Sequence, residues 1–183
     1  MIQHLIDTVS LFQNSNTSIV VGYKANEVET YLVSQKKLSF VKQKNQLGTA
    51  HAVKQALPNI RKNSVAVILY GDVPLVKKNT LNRLIKSAST GKLSLLTFIK
   101  EDPTGYGRII RSSKKNVQKI TEHKDASSAE KEIREVNSGI LAIKASLLRQ
   151  LISKIKNNNA AKEYYLTDLV EIANNHSVDV VAT

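Results

Sequence analysis

The sequence predicts an α/β fold on a mixed, mostly parallel sheet, and three observations predict it. Val65 to Leu75 reads VAVILYGDVPL, an apolar run that stops abruptly at Gly71, Asp72 and Pro74. A strand covered by helices on both faces needs such a run. The first half alternates short β-branched runs with segments of helical periodicity, as successive βα units do. In the second half, two runs joined by the polar turn SSKKN read as a hairpin, which adds antiparallel pairing.

The elements follow in order. Ile2, Leu5, Ile6, Val9 and Phe12 form one helical stripe. Ser18–Gly22 is a buried-type strand, and Asn26 with Glu29 three residues on predicts a capped helix. Ser39–Val41 is a short strand; Thr49 is placed to cap a helix that Pro58 ends. The Val65–Tyr70 strand precedes a helix over Thr80–Ser87 and a strand over Leu93–Ile99. Gly107–Arg111 and Val117–His123 make the hairpin, and Glu135–Lys144 is a further strand. Ser146 is placed to cap a helix striped by Leu147, Leu148, Leu151, Ile152 and Ile155. Tyr164–Asn174 reads as the last helix and Val178–Ala182 as the last strand. No linker or repeat divides residues 1–183, so one domain is expected. The chain opens on a helix, where a strand and loop ordinarily stand first. This predicts a sheet lacking its first strand, a fragment cut at both ends.

Composition narrows the function. With 183 residues, 42% hydrophobic and 23% charged, the chain resembles an ordinary globular protein. Zero cysteines exclude disulfides, thiolate metal sites and cysteine nucleophiles. No apolar stretch reaches the roughly 18–20 residues that cross a bilayer, and MIQHLIDTVSLF lacks a signal peptide's basic start. A cytoplasmic protein without membrane contact is expected. The formal charge of +12 raises nucleic-acid binding. Yet pairs such as Lys77–Lys78 and Lys114–Lys115 are scattered without a basic stripe, so solvated faces account for them and no nucleic acid is expected.

The chemistry-bearing candidates lie where strands end. Asp72 stands past the carboxyl end of a predicted central strand, where open α/β sheets bind ligands. It reads either as a hard oxygen ligand for a divalent cation or as a turn aspartate accepting backbone hydrogen bonds. In QKNQLGTAHA, Gln43 and Gln46 offer amides to a base edge and Gly48 permits close backbone approach; plain capping by Thr49 is the alternative. DPTGYGRI makes a tight turn in which Gly107 can present backbone to a sugar, but it matches no phosphate-loop pattern. Glu122, His123, Lys124 and Asp125 cluster after a strand, as an exposed loop also would. His123 with Asp125 has no placed nucleophile, so hydrolase chemistry is rejected. The histidines show no metal spacing. Asn137 interrupts the strand EVNSGILAI and needs polar partners, a ligand hydroxyl among them.

Taken in order, YGDVPL, QLGTAHA, DPTGYGRI, EHKDA, EVNSGI and EYYLTD closely resemble the bacterial bifunctional N-acetylglucosamine-1-phosphate uridyltransferase/glucosamine-1-phosphate acetyltransferase family. The resemblance covers essentially the whole chain, but only the inner part of that family's N-terminal uridyltransferase domain. It implies a Rossmann-like nucleotide-diphospho-sugar transferase fold. It implies that Gln43, Gly48 and Thr49 hold uracil, and that Asp72 binds Mg²⁺ with Tyr70 and Gly71 beside the nucleotide-sugar. Gly107, Glu122 and Asn137 are implied to contact the N-acetylglucosamine and ribose. The implied reaction joins UTP and N-acetylglucosamine 1-phosphate into UDP-N-acetylglucosamine and pyrophosphate, in cell-wall precursor synthesis.

The family's glycine-rich catalytic loop, its second metal-binding Asn and its β-helix acetyltransferase domain have no counterpart in these residues. The resemblance also implies homotrimers formed through that domain. Little or no uridyltransferase activity is therefore expected of the chain as given. The alternatives are a remnant that only binds nucleotide sugar, or a transferase for a related sugar phosphate.

Overall fold

A computed structural model describes residues 1–33, 35 and 37–183. The elements run α1 (Ile2–Ser10), β1 (Thr17–Val21), α2 (Ala25–Leu32), β2 (Leu38–Lys42), α3 (Thr49–Ala56), β3 (Val65–Ile68), α4 (Lys78–Ser89) and β4 (Leu93–Ile99). They continue with β5 (Arg108–Arg111), β6 (Val117–Thr121), α5 (Ser128–Lys131), β7 (Glu135–Lys144), α6 (Ala145–Ile152), α7 (Leu169–Asn175) and β8 (Val180–Ala182). The βα alternation of the first half and the hairpin of the second are both present.

Two sheets form. β1 and β2 pair in parallel as a two-stranded sheet. The larger sheet runs β6-β5-β7-β4-β8, and β3 pairs with the end of β7 on the edge it shares with β5, opposite β4. The pairing is mixed, as expected, but not mostly parallel. Only β1–β2 and β4–β8 pair in parallel, whereas β3–β7, β4–β7, β5–β6 and β5–β7 are antiparallel, because β7 enters between strands that the βα pattern would place side by side. β3 and β4 are each antiparallel to β7, hence parallel to one another, but β7 lies between them. β7 can occupy that central place because Val136 and Ile140–Ile143 are buried almost throughout. The main core gathers Leu93, Leu95, Ile143, Leu148, Leu151 and Leu169 between the sheet and helices α6 and α7. α1 spans two smaller clusters, with Leu5 in one and Ile6 in the other. Among the described residues no helix is long and apolar enough to cross a membrane.

Three expected caps do not form: a local turn replaces one and tertiary contacts replace the other two. Lys24, in the left-handed region at φ 57°, precedes α2, and the N–H of Ala25 donates to the Gly22 carbonyl. Helix therefore begins before Asn26 can cap it. α6 begins at Ala145, ahead of Ser146, because the Ala145 N–H donates to the Ser64 carbonyl at 2.9 Å. Thr49 is the first residue of α3, not its cap; its hydroxyl accepts from the Leu166 N–H at 2.9 Å. The last helix also starts later than its pattern suggests. Tyr164 is held extended, donating to Leu47 O and accepting from the Ala50 N–H, so a 3₁₀ turn over Leu166–Asp168 precedes α7. One element went unread: α5, whose capping box pairs Ser127 with Glu130.

Candidate functional site

The end of β3 leads to Tyr70, Gly71 and Asp72. Tyr70 is largely buried, and its ring lies against Gly139, which adopts φ +80°. That conformation suits glycine because it has no Cβ to clash with its own carbonyl. Burial pushes the Tyr70 phenol above its ordinary pKa, hydrogen bonding to Thr49 opposes this, and the charges of Glu122 and Asp72 push it further up. Tyr70 thus sits among Thr49, Glu122 and Asp72. It also lines a small pocket with Asn137, Gly139, Leu166 and Thr167.

Asp72 is exposed beside Gly71, where a Cβ would meet nothing within 4 Å. The turn here is closed by the backbone, Val73 N–H donating to Tyr70 O at 3.2 Å, not by the Asp72 carboxylate. Asp72 lines a wide cavity together with Thr49, Tyr70 and Gly71. A single hard carboxylate without side-chain partners among the described residues fits Mg²⁺, which commonly takes one or two carboxylates plus waters and substrate phosphates. Among the described residues, no group of three His, Asp or Glu side chains is placed to hold a metal by itself.

Gln43 follows β2. Its side-chain amide N–H₂ donates to the Gly48 carbonyl at 3.2 Å and lies 2.9 Å from His51 Nδ1. Its side-chain oxygen Oε1 and the Gly48 N–H enter no hydrogen bond among the described residues. Gly48 has φ +110°, and a Cβ there would stand 2.6 Å from the Tyr164 carbonyl oxygen. The close approach that Gly48 permits is therefore first to its own chain. Gln46 turns back, donating to the Gln43 carbonyl at 3.2 Å.

The sugar-side candidates meet on the hairpin and β7. A Cβ on Gly107 would lie 2.9 Å from Ile120 and 3.4 Å from a Glu122 carboxylate oxygen. The Gly107 carbonyl accepts from the Asn137 N–H at 2.9 Å, which ties the turn to β7. Asn137 Oδ1 accepts from the Gly139 N–H at 3.1 Å, leaving the Asn137 amide N–H₂ as a donor. Glu122 accepts from the Thr167 hydroxyl at 2.8 Å. Burial raises the Glu122 pKa, Thr167 lowers it, and Asp125 raises it again.

His123 and Asp125 are not coupled. His123 Nδ1 lies 3.3 Å from the buried Arg108 guanidinium, whereas Asp125 accepts from the Ala160 N–H. The sequence reading missed three contributors: Thr167 as the partner of Glu122, Gly139 as the seat of Tyr70, and His51 beside Gln43. All three lie in motifs already singled out, Thr167 in EYYLTD, Gly139 in EVNSGI and His51 in QLGTAHA.

The sequence pattern of the family described as Nucleotidyl transferase matches residues 1–182. This chain belongs to that family. Two curated relatives of this nucleotidyl transferase are the Bifunctional protein GlmU of Bordetella petrii and that of Pseudomonas syringae pv. syringae. The first is 47% identical over 94% of this chain and 38% of its own length. The second is 47% identical over all of this chain and 40% of its own length. The chain thus spans about two fifths of the curated relatives it matches, and the resemblance read from its motifs is borne out. Among solved structures, apo UDP-glucose pyrophosphorylase superposes with a TM-score of 0.73 at 14% identity, covering 99% of this chain and 77% of its own. The same enzyme complexed with UDP-glucose gives 0.72 at 17% identity. At those identities the likeness shows the α/β nucleotidyltransferase fold alone, as expected from the sequence.

Proposed function

We propose that this nucleotidyl transferase carries a uridyl-transfer site, joining UTP and N-acetylglucosamine 1-phosphate into UDP-N-acetylglucosamine and pyrophosphate. The observation that supports it most is convergence. Tyr70 links the exposed Asp72 and the start of α3 to Glu122, Asn137 and Thr167, which spaces a metal carboxylate, a base site and a sugar site around one phenol. The relatives named bifunctional GlmU support the choice of reaction.

In this reading the Gln43 carbonyl oxygen accepts the uracil imide N–H and the Gly48 N–H donates to a uracil carbonyl. Thr49 fixes the start of α3, whose free N–H groups favour anions. The Asn137 amide donates to a sugar or ribose hydroxyl, and the Glu122 carboxylate accepts from one. Thr167 holds Glu122 in place for that contact. Asp72 holds Mg²⁺, which when bound supplies neutralisation of phosphate charge. Catalysis by such a site is chiefly positioning of the sugar phosphate in line with the α-phosphorus.

Calorimetric titration with UDP-N-acetylglucosamine, with and without Mg²⁺, tests the site; release of pyrophosphate from UTP and N-acetylglucosamine 1-phosphate tests turnover. Saturable binding that weakens in Glu122→Gln and Asn137→Ala supports the reading. Binding that both variants leave unchanged refutes it. Saturable binding without pyrophosphate release assigns the chain to nucleotide-sugar binding alone.

A further inference from the structure

Arg108 is 1% exposed, the largest of the almost fully buried side chains, and no carboxylate pairs with it among the described residues. Its guanidinium donates to neutral acceptors instead. Nε and Nη2 reach the Lys131 carbonyl at 3.3 and 3.2 Å, and Nη1 reaches the Tyr106 carbonyl. Nη2 also lies 3.3 Å from His123 Nδ1, which must accept because a guanidinium only donates. Lys131 ends α5, where helix carbonyls lack partners of their own. Taking a guanidinium out of water is costly, and an apolar side chain of similar volume would fill the space without that cost. It would not tie together the turn before β5, the loop after β6 and the end of α5.

Those segments carry the sugar-side candidates. Arg108 is paired with Thr121 of β6 on one side and with Val136 of β7 on the other. One residue further along the same three segments stand Gly107, Glu122 and Asn137, with the Asn137 N–H donating to the Gly107 carbonyl at 2.9 Å. Successive side chains of a strand point to opposite faces, so Arg108 lies behind the face that Glu122 and Asn137 present. α5 covers that rear face, because the Thr121 hydroxyl donates to Glu130 at 3.1 Å just as Arg108 donates to Lys131. We propose that Arg108 is a positioning residue for sugar recognition: fastened to Tyr106, His123 and Lys131, it fixes the spacing of Gly107, Glu122 and Asn137 without touching the ligand. That role rests on the uridyl-transfer reading, which sets the sugar against those three residues. In the same reading Gln43, Gly48 and Asp72 hold the base and the metal, and none of them hydrogen-bonds to Arg108. Hydrogen bonds weaken steeply with misplacement, so loss of Arg108 falls on the sugar and spares the nucleotide.

Calorimetric titration with UDP-N-acetylglucosamine and with UDP reads the two parts of the ligand separately. In Arg108→Met the expected loss is about tenfold for UDP-N-acetylglucosamine and less than about twofold for UDP. His123→Leu removes one of the three ties and is expected to lose about threefold for the sugar nucleotide alone. His123→Asn, whose amide oxygen can stand where Nδ1 stood, is expected to bind as the parent does. The two His123 variants decide the matter if Arg108→Met shows no cooperative urea transition. Equal weakening of both ligands overturns the proposal, since that is a general loosening of the fold. So does a His123→Asn variant as impaired as His123→Leu. A parent that prefers UDP-N-acetylglucosamine to UDP, with variants that prefer it as strongly, overturns the proposal and leaves the sugar site standing. A parent that binds the two equally overturns the sugar site itself and the role of Arg108 with it.

Discussion

Tyr70 rests so closely on Gly139 that a Cβ added there would stand 2.6 Å from the ring carbon Cδ2. The glycine at φ +80° and the aromatic ring are thus one device. β7 is thinned at that point so that the phenol can lie over it, between Asp72 and Glu122. Gly139→Ala adds both backbone strain and overlap, and about 3 kcal/mol of stability is expected to go. In a Tyr70→Leu background the overlap is relieved and only the strain, about 1–2 kcal/mol, remains. A double-mutant cycle by urea unfolding measures the coupling; additive effects would show that ring and glycine do not constrain one another.

The Thr167 hydroxyl donates to Glu122 at 2.8 Å and opposes the rise that burial imposes on that carboxyl. Thr167→Val keeps the shape and removes the donor. The Glu122 pKa is expected to climb further, because the hydrogen bond that favours its ionised form is gone. Thr167→Ser is expected to leave it near the parent value. A carboxyl-carbon NMR titration of Glu122 reads both; an unchanged pKa in the valine variant would remove Thr167 from the site.

What was legible in the sequence was the part encoded locally. β4 and β7 match their predicted spans because Leu93–Ile99 and Glu135–Lys144 carry dense apolar patterns. Asp72, Glu122 and Asn137 could be singled out because each is polar where a strand or its end should be apolar. The errors fall where a distant residue replaces a local partner. The carbonyl of Ser64 meets the first amide of α6 before Ser146 can act. Leu166 takes the Thr49 hydroxyl that would otherwise cap α3. β7's place between β3 and β4 is likewise invisible locally, since sheet order depends on pairings 36 to 79 residues apart along the chain.

Ser127 accepts from the Glu130 N–H while the Glu130 carboxylate accepts from the Ser127 N–H at 2.9 Å. That backbone bond, with Lys119 and the Ser127 hydroxyl, holds the Glu130 pKa down to about 2. The stability it contributes is present above the ordinary glutamate range and is lost as pH falls towards 2. Ser127→Ala is expected to cost about 1 kcal/mol near neutrality, the usual worth of such a cap. The difference from the parent should shrink steadily in acid. Thermal melts across the acid range check this, and a pH-independent difference would contradict the linkage.

Asp168 behaves in the opposite sense. Half-burial, with Glu171, Glu122 and Asp125 nearby, raises its carboxyl to about 6. The folded chain therefore keeps this proton to higher pH than the unfolded chain does. Its ionisation costs nothing below about pH 4, where both states are protonated. The cost develops as pH rises from about 4 to about 6 and is complete above that. Asp168→Asn removes that cost, so the variant should equal the parent in acid and exceed it at about pH 8 by about 1 kcal/mol, after allowing for solvent screening. The gain should fall when Glu171→Gln is added to both backgrounds, since Glu171 is the largest charged contributor after burial itself. Urea midpoints at the two pH values decide it: a variant no more stable than the parent at the higher pH would mean that the Asp168 carboxylate is stabilised by its surroundings.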